Sequence, residues 1–413
     1  MTTQQAPGLD ASSAPMDPTT RRRIQMTVSC RDADDLPRVA GAGEVFEHDG
    51  VRVQRMFNGV LVEEGSYFGG FNTPIIRGLR GVHEPQEEPV VHEIVNRLVV
   101  ERETGVLSRR PFAIELGSFW AYYSIWFCQA LWDGHVLAME PDPAFLEVGR
   151  RNAHLNHVAD RITFVHGAVS DQSGSIPFVA ESDGKEYSVP AHDLVSLMSM
   201  AGADEVDVVF CDIQGFETPM LTQSAALLAS GAVRFVVMST HHSSISGDPL
   251  THQKALSTIE ELGGHVIAEH TVSESFSGDG LIVASFNGRD REVRVDVSHA
   301  RAKQSLFGEL EQEVGQYLAL HREEYAIISS LRHDIDGLHE ANAELGERVV
   351  DLNHKLENTS STATDLDETV AQLSRANAEL QARIDEMQAT RMWRWSRAPR
   401  DFYAHVRRFR PSR

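Results

Sequence analysis

Short apolar runs recur between positions 112 and 286, and a stretch with helical spacing of apolar residues follows most of them. Such runs predict buried strands, and the amphipathic stretches between them predict crossover helices. The order favours an α/β fold with a mostly parallel sheet and an antiparallel last strand. The first five predicted strands cover 112–114, 135–139, 162–165, 206–210 and 233–238, and a hairpin-like pair completes the sheet before residue 286.

The chain before residue 112 has weaker patterns. Residues 1–40 are rich in small and polar residues and are predicted to be a disordered lead. Apolar and polar residues alternate over 44–70, which predicts short strands with glycine turns. These strands are expected to form an accessory hairpin or lid. Pro85 is predicted to open a helix, and the segment 81–88 is interpreted as its cap.

The ends of the first two predicted strands carry a candidate site. The first strand ends at Glu115, and Gly117-Ser118 then turns into a helix, while the second ends at Glu140, shortly before Asp142 and a helix-starting proline. The spacing from Gly117 to Glu140 is that between a nucleotide-binding turn and the carboxylate that binds ribose hydroxyls in a βαβ unit. The pair predicts a nucleotide-cofactor site, although the turn alone is equally compatible with a simple strand end.

The residues after Gly117 favour S-adenosylmethionine over a dinucleotide. Phe119 and Ala121 stand where a Gly-x-Gly-x-x-Gly turn has glycines, and bulky residues leave little room for a pyrophosphate. S-adenosylmethionine has no phosphate and tolerates a turn with one glycine. Its amino group is expected to meet Glu115.

Polar residues follow three further strands at the edge where open α/β sheets bind ligands. Residues 167–171, which include Ala168, are expected over an adenine. Asp212 follows the fourth strand, and it is either a ligand-binding residue or a cap for the next helix. His241 and His242 follow the fifth strand, and one of them is expected to face the cleft.

The composition narrows the class of protein. The chain has 413 residues and a net charge of −22, which argues against a general nucleic-acid binder. The three cysteines are widely spaced and predict no disulfides. No apolar segment follows the arginines at 21–23, so the sequence predicts neither a signal peptide nor a transmembrane helix. It therefore predicts a cytoplasmic protein.

Several segments together resemble the FkbM family of S-adenosylmethionine-dependent methyltransferases. They are IELGSFWAYYSIWF, AMEPDPAFLEVGRRNAHLN, VHGAVSD, VDVVFCDIQGFETPML and FVVMSTHH, and they cover roughly residues 70–286. The family's Asp-x-Gly-Ala-Asn-x-Gly turn is matched by Glu115 and Gly117, with departures at Phe119 and Ala121. Its Glu-Pro pair is matched by Glu140-Pro141. Its Asp-x-Glu-Gly-x-Glu motif is matched by Asp212, Gln214, Gly215 and Glu217, with glutamine in place of an acid.

The resemblance implies a class I methyltransferase fold, with a Rossmann-like, mostly parallel, seven-stranded sheet, over residues 41–300. It also implies O-methylation, most often of a sugar or polyketide hydroxyl. His241 and Asp212 are then the candidate bases, and His241 is preferred because the ordinary pKa of histidine lies near neutrality. Alternatively, a divalent metal held by Asp212, with Asp193 or Glu217, acidifies the hydroxyl.

A heptad register begins at Phe307 and predicts a coiled coil over residues 301–390, roughly 120 Å long. Asn342 and Asn377 fall at a positions, which favours a parallel two-stranded coil, and the register weakens at 357–364. The alternative is an amphipathic helix that folds back on the catalytic domain. The predicted core positions are Leu331, Ile335, Leu338, Asn342, Leu345, Val349, Leu352, Leu356, Leu366, Val370, Leu373, Asn377, Leu380, Ile384 and Met387.

The segment 391–413 reverses the charge of the chain. It has eight arginines and one aspartate, interleaved with two tryptophans, two phenylalanines and a tyrosine. This composition suits an anionic membrane surface, and binding of nucleic acid or an acidic partner protein is the competing use. The tail resembles those of bacterial enzymes of surface-polysaccharide assembly.

These patterns predict a cytoplasmic methyltransferase that dimerises through its coil. Its basic tail would hold the catalytic domains near the inner membrane, where they act on a lipid-linked or polymeric glycan. A scaffold with a degenerate methyltransferase domain is the second hypothesis, because the first motif is unusual and the coil is long. A dinucleotide-dependent oxidoreductase is a third, which the missing glycines disfavour.

Overall fold

The computed structural model describes residues 17–170, 174–300, 310–358 and 363–389. The chain divides into one unit that ends at Leu310 and another that begins at Glu311. The strands are β1 (Val45–His48), β2 (Val51–Arg55), β3 (Leu61–Glu63), β4 (Phe112–Leu116), β5 (His135–Glu140), β6 (Ile162–His166), β7 (Ala168–Val169), β8 (Gly174–Val179), β9 (Glu186–His192), β10 (Val206–Cys211), β11 (Val233–Thr240), β12 (His265–His270) and β13 (Gly280–Ser285).

Helices precede, separate and follow these strands. They are α1 (Pro18–Ser29), α2 (Asn72–Gly78), α3 (Glu88–Glu103), α4 (Tyr122–Ala130), α5 (Pro143–Leu155), α6 (Leu194–Ala201), α7 (Glu217–Gln223), α8 (Ala225–Ser230), α9 (Ser243–Ser246), α10 (Thr251–Glu261), α11 (Leu310–Asn358) and α12 (Ala363–Ala389).

The main sheet has seven strands in the order β12-β13-β11-β10-β4-β5-β6. Strand β13 is antiparallel to both of its neighbours, and the other pairs are parallel. The predicted seven-stranded, mostly parallel sheet is thereby confirmed. The strand order reverses between β4 and β10, so a crevice opens at their carboxyl ends.

Both faces of this sheet are covered, as the continuous apolar runs predict. Successive residues of β4 alternate between two hydrophobic cores, with Ala113 in one and Phe112 and Ile114 in the other. Helices α3, α4 and α5 cover the first face, and α6, α7, α8 and α10 cover the second. The tips of the strands are therefore held on a rigid frame.

The prediction of a disordered lead over 1–40 is wrong for residues 17–40. Helix α1 begins at Pro18, and the Asp17 side chain caps it by accepting hydrogen bonds from the amides of Thr19 and Thr20, both at 3.0 Å. Cys30 is buried beyond the end of the helix. The small and polar composition predicts disorder, whereas a proline in the first turn after an aspartate favours a helix start. Residues 1–16 lie outside the described residues.

The accessory strands β1, β2 and β3 form a small antiparallel sheet, as predicted. Strand β3 is fixed against α5, because the amides of Leu61 and Glu63 donate to the side chains of Asn156 and Asn152, both at 2.9 Å. The sheet is part of the domain and shares its first core. A second small sheet, β7-β9-β8, was not predicted, and it occupies the polar stretch after β6.

The predicted coiled-coil segment contains the two long helices α11 and α12. Asn342 donates to Gln381 across them at 3.4 Å, and Ile384 is 1% exposed. Positions 342 and 381 lie at similar distances from the gap at 359–362, so this contact joins two antiparallel helices of one chain. The predicted parallel pairing of two chains stays a prediction, and Phe307 and the tail 391–413 lie outside the described residues.

Among the helices that the structure describes, none is both long and apolar enough to cross a membrane.

Candidate active site

A cavity of about 360 Å³ lies at the carboxyl ends of β4, β5 and β10, where the strand order reverses. It brings together all the residues that the sequence predicts for cofactor binding, while His241 meets it through contacts with Asp212 and Asp279. The predicted cofactor residues that line the cavity are Glu115, Gly117, Ser118, Glu140, Asp142, Ala168 and Asp212.

The turn after β4 is closed tightly against the neighbouring strands. The amides of Gly117 and Ser118 both donate to the Met139 carbonyl at 2.9 Å. Gly117 has a φ of 78°, and a Cβ at this position would overlap the carbonyl oxygen of Asp212. Only glycine fits here, for reasons of both conformation and space.

The two departures from the glycine pattern keep the backbone of a glycine turn. Phe119 has a φ of 37° and Ala121 a φ of 58°, both in the left-handed region that side chains disfavour. Packing holds this conformation, because the Phe119 ring stacks on Phe145 with centroids 3.7 Å apart. Ala121 is fully buried. The unusual residues therefore change the side chains around the turn, while both positions keep the positive φ that glycine favours.

Glu115 points from the end of β4 toward the start of α4. It is 5% exposed and accepts hydrogen bonds from the amide of Ser124, at 3.0 Å, and from the Ser124 hydroxyl. Burial raises the pKa of Glu115 to about 8, although these hydrogen bonds oppose the shift. A cationic amino group in the cavity would favour the ionised form.

Glu140 is held by the backbone of both flanking turns. Its oxygens accept from the amides of Phe119 and Asp142, both at 2.9 Å, and burial raises the pKa of Glu140 to about 8. Asp142 caps α5 through the Ala144 amide at 2.9 Å. It also accepts from the amide and hydroxyl of Ser182, at 2.9 and 2.8 Å. Glu140 thus orders the cofactor side of the cavity, and Asp142 anchors its rim.

The residues present fit an adenosine-containing, phosphate-free cofactor. Ser118 is 1% exposed and lines the cavity, and its hydroxyl has no hydrogen-bond partner within the described residues. A buried unpaired hydroxyl carries a free-energy cost unless a ligand or water pairs with it. The large Phe119 side chain beside it leaves the turn unsuited to a pyrophosphate, as the sequence predicts.

His241 is enclosed by carboxylates. Its Nε2 lies 3.0 Å from Asp212 Oδ1, its Nδ1 lies 2.9 Å from Glu217 Oε1, and Asp279 is 3.9 Å away. Burial alone would lower the pKa of His241, but the hydrogen bonds to Asp212 and Glu217 raise it well above the ordinary value. Both nitrogens then donate, so the ring lacks the lone pair that a general base needs. The predicted role of His241 as the base is therefore disfavoured.

The predicted metal alternative does not find support. Asp193 caps α6 by accepting from the Ser196 amide at 2.8 Å, and Glu217 is fully buried against His241. Over the described residues, no group of three or more histidine, cysteine or acidic side chains is arranged to hold a metal ion.

One wall of the cavity comes from residues that the sequence analysis missed. Tyr67, His83, Glu84 and Glu87 reach it from the segment before α3, and Asp279 reaches it from the turn before β13. Burial raises the pKa of Glu87 to about 7 and that of Asp279 to about 6, and the pKa of Glu84 lies well above its ordinary value for the same reason.

Two features of the sequence pointed to this wall without identifying it. The segment 81–88 carries a histidine and three glutamates within six residues, and it was interpreted as a helix cap. Helix α3 begins at Glu88, after Glu87, whose side chain makes no capping hydrogen bond. The cluster of acidic residues beside a histidine was therefore the signal in the sequence that could have identified this wall.

Comparison with protein families gives a match over part of the chain. Residues 106–266, from before β4 to the start of β12, match the family model described as the methyltransferase FkbM domain. No protein with a curated description has a significant match to the chain. The segment is therefore an S-adenosylmethionine-dependent methyltransferase domain.

Two solved structures show that the structural similarity is accompanied by low sequence identity and low TM-scores. The N-terminal domain of human METTL16 in complex with SAH is 15% identical, with 49% of this chain and 71% of that chain covered and a TM-score of 0.32. Precorrin-6y C5,15-methyltransferase from Geobacter metallireducens GS-15 is 16% identical, with 48% and 88% covered and a TM-score of 0.30.

Proposed function

We propose that this protein transfers the methyl group of S-adenosylmethionine to a sugar hydroxyl of a glycan or glycolipid. The observation that carries the proposal is the single cavity with two chemically different ends. One end is formed by the tips of β4 and β5 and is called the cofactor end. The other is formed by the wall of Tyr67, His83, Glu84, Glu87 and Asp279 and is called the acceptor end.

The cofactor end offers polar partners for the ribose and for the amino-acid part of S-adenosylmethionine. Glu140 is proposed to accept from the ribose hydroxyls, Glu115 from the amino group, and Ser118 to pair with the amino-acid part. Ala168 lines the cavity beyond β6, where the adenine is proposed to lie. When bound, the cofactor supplies an electrophilic methyl group on a sulfonium.

The acceptor end has the composition of a sugar-binding surface. Tyr67 stacks on Trp120 with ring centroids 4.5 Å apart, and both rings line the cavity. Glu84 and Glu87 lie beside them, and carboxyl groups with a raised pKa can both donate to and accept from sugar hydroxyls. Aromatic faces with a few convergent polar groups are typical of small-molecule sites.

Asp212 joins the two ends. Its side chain is half-exposed, at 50%, and its Oδ1 is paired with the His241 ring. We assign it to orienting the acceptor hydroxyl for in-line transfer, with His241 holding the carboxylate in place. These roles retain both predicted catalytic residues but move His241 away from proton removal.

Calorimetric titration with S-adenosylmethionine, and separately with NAD, tests the cofactor. We expect micromolar binding of S-adenosylmethionine alone. Glu140→Ala should weaken this binding by about a hundredfold or more, because two backbone amides and the ribose hydroxyls lose their acceptor. Glu147→Ala, an exposed change on α5, is the matched control. Tighter binding of NAD would contradict the proposal.

Transfer of tritium-labelled methyl groups to a panel of p-nitrophenyl hexosides tests the acceptor class. Labelled glycoside supports a sugar hydroxyl, and transfer to non-sugar alcohols alone would overturn that part of the proposal.

A scaffold with a degenerate domain is the alternative that the residues Phe119 and Ala121 favour. The left-handed backbone at both positions argues against degeneracy, because it is the conformation that a glycine turn uses. The same titration separates the two hypotheses. A folded protein that binds neither S-adenosylmethionine nor its thioether product would favour the scaffold.

We also propose a parallel homodimer through residues 301–390, in which the heptad positions of α11 and α12 would pair with those of a second copy instead of with each other. The side-chain oxygens of Asn342 and Asn377 are buried without a hydrogen-bond partner in the described chain, and the same asparagines of a second copy would supply donors. Light scattering tests this. Wild type should have twice the mass of the L338P/L345P double variant, and equal masses would contradict the dimer.

The basic tail 391–413 is proposed to hold a cytoplasmic protein at an anionic membrane. Deletion of residues 393–413 should abolish co-sedimentation with phosphatidylglycerol vesicles. Undiminished co-sedimentation would exclude the tail as the anchor, and co-sedimentation with neutral vesicles would exclude the electrostatic mechanism.

A further inference from the structure

His83 lies at the acceptor end of the cavity, in the loop before α3 and outside the segment that matches the family model. It is 4% exposed and lines the cavity together with Tyr67 and Trp120. A buried histidine that borders a ligand cavity is held there by specific partners, and those partners decide what its ring can do.

One ring nitrogen of His83 is committed to a buried carboxylate. Nδ1 lies 2.6 Å from Glu88 Oε1, and Glu88 is fully buried. The same oxygen accepts from the amides of His83 and Glu84, at 2.8 and 3.2 Å. The other oxygen accepts from the Tyr122 hydroxyl at 3.2 Å. Four donors thus fix the carboxylate, and the carboxylate fixes the ring.

Aromatic side chains set the plane of the His83 ring. Trp120, Tyr122 and Tyr67 approach it edge to face, with centroids 4.9, 5.2 and 5.7 Å away. Asn58 donates to the Tyr122 hydroxyl at 3.3 Å and so extends the network to the accessory sheet. The segment before the methyltransferase domain therefore positions this histidine as firmly as a core residue.

The two histidines near the cavity differ in the lone pair that each retains. His241 has a carboxylate at each nitrogen, so both nitrogens act as donors. His83 has a carboxylate at Nδ1 only, which places the proton of the neutral ring on Nδ1 and leaves the lone pair on Nε2. This is the arrangement of a general base held by a third group.

We propose that His83 is the general base of methyl transfer and that Glu88 is its positioning residue. The assignment rests on the proposed function. The acceptor O–H bond breaks, and its proton passes to His83 Nε2 while the oxygen forms a bond to the methyl carbon. The C–S bond breaks and its electron pair stays on sulfur, giving a neutral thioether. The imidazolium then releases its proton to water.

The groups that face His83 determine how the rate depends on pH. Glu87 and Glu88 face it from its own segment, and Tyr67, Tyr122 and Tyr123 face it from the accessory segment and α4. Burial raises the pKa of all three tyrosines well above the ordinary value, so they stay neutral. The rate is expected to rise with pH because a general base acts in its unprotonated form, and Glu87, whose pKa is raised to about 7, is the neighbour that titrates in this range.

Nitrogen-15 imidazole spectra of the unliganded wild-type protein at pH 8 test the arrangement without any activity. The His83 signals, assigned by their absence in His83→Gln, should show protonated Nδ1 and unprotonated Nε2. Glu88→Gln should increase the Nε2-protonated population. A wild-type ring protonated mainly on Nε2, or on both nitrogens, overturns the proposal.

Steady-state kinetics with the p-nitrophenyl hexoside that gives the most labelled product test the role. His83→Gln should lower kcat by about a hundredfold or more, leave KM within about threefold, and flatten the rising limb of the pH profile. His154→Gln, on the exposed face of α5, should leave kcat unchanged. A kcat for His83→Gln within threefold of wild type overturns the proposal.

Two further results keep this inference separate from the proposed function. Calorimetry should show that His83→Gln and His83→Asn bind S-adenosylmethionine as wild type does, which excludes misfolding as the cause of lost activity. Absence of cofactor binding by wild type would defeat the proposed function and His83's role with it. If wild type binds the cofactor but methylates no glycoside, the assignment of a sugar acceptor fails. The imidazole spectra then decide whether His83 has the protonation pattern that the proposal requires.

Discussion

The cofactor end and the acceptor end of the cavity are built in different ways. At the cofactor end the backbone defines the shape of the cavity, because Gly117 closes the turn and Glu140 binds two main-chain amides. At the acceptor end side chains define the shape, through stacked rings such as Tyr67 and Trp120 and through the His83–Glu88 pair. A backbone-defined end is sensitive to the volume of single residues, whereas a side-chain-defined end is sensitive to their chemistry.

Replacing Gly117 by alanine should give the largest effect at the cofactor end. The new Cβ would overlap the Asp212 carbonyl, and φ is 78° at this position. We expect the free energy of unfolding to fall by about 3 kcal/mol or more and cofactor binding to be lost. Urea denaturation and calorimetry measure both quantities.

Gly184→Ala is the matched control for that experiment. Its φ is 70°, but no atom lies within 4 Å of the added Cβ, so only the conformational strain is shared. We expect a loss of about 1 kcal/mol. Equal losses for the two variants would show that the close approach of Asp212 does not matter.

The pH dependence of stability separates the two ends, because their carboxyls titrate in different ranges. Burial raises the pKa of Glu115 and Glu140 to about 8, against about 7 for Glu87 and about 6 for Asp279. Between the unfolded pKa and the folded pKa the unfolded chain binds fewer protons, so the free energy of unfolding falls as pH rises. His241, whose pKa is raised, adds stability that is lost in the same direction.

We expect the unliganded protein to lose several kcal/mol of unfolding free energy between pH 5 and pH 8, because each carboxyl with a folded pKa of about 8 accounts for roughly 3 kcal/mol over this range. Glu115→Gln should reduce the loss both below and above pH 7, whereas Glu87→Gln should reduce mainly the part below pH 7. Urea denaturation at pH 5, 7 and 8 measures both parts. A stability that rises over this range would contradict the burial of these carboxyls.

Removing the Tyr67 ring should weaken acceptor binding and spare the cofactor. The ring stacks on Trp120, so Tyr67→Ala is expected to raise the KM for a hexoside by about tenfold, while Tyr67→Phe, which keeps the stack, changes it little. Affinity for S-adenosylmethionine, measured by calorimetry, should stay within about twofold. A parallel loss of cofactor affinity would mean that the two ends are not separable.

The same difference explains how far the sequence predicted the site. Glu115, Gly117 and Glu140 lie at strand ends with a spacing that the βαβ unit dictates, and the structure brings them together. His83 and Asp279 come from segments far apart along the chain, and only the folded structure brings them to one cavity. His241 was placed at the correct strand end, but its carboxylate partners, which decide its protonation, come from β10 and α7 and could not be paired from spacing alone.

Ala121 offers the smallest and most specific test of the backbone-defined end. Its φ of 58° disfavours alanine by about 1 kcal/mol or more, so Ala121→Gly stabilises the folded state by relieving this strain. The same change destabilises the folded state by removing a buried methyl group and by raising the conformational entropy of the unfolded chain. These terms nearly cancel, and we expect the free energy of unfolding to change by less than about 0.5 kcal/mol. Ala255→Gly, also fully buried but in the middle of α10, has no strain to relieve and should cost about 1.5 kcal/mol. Equal costs in urea denaturation would mean that the turn does not hold Ala121 in the left-handed region, and the cofactor end would then owe its shape to Gly117 alone.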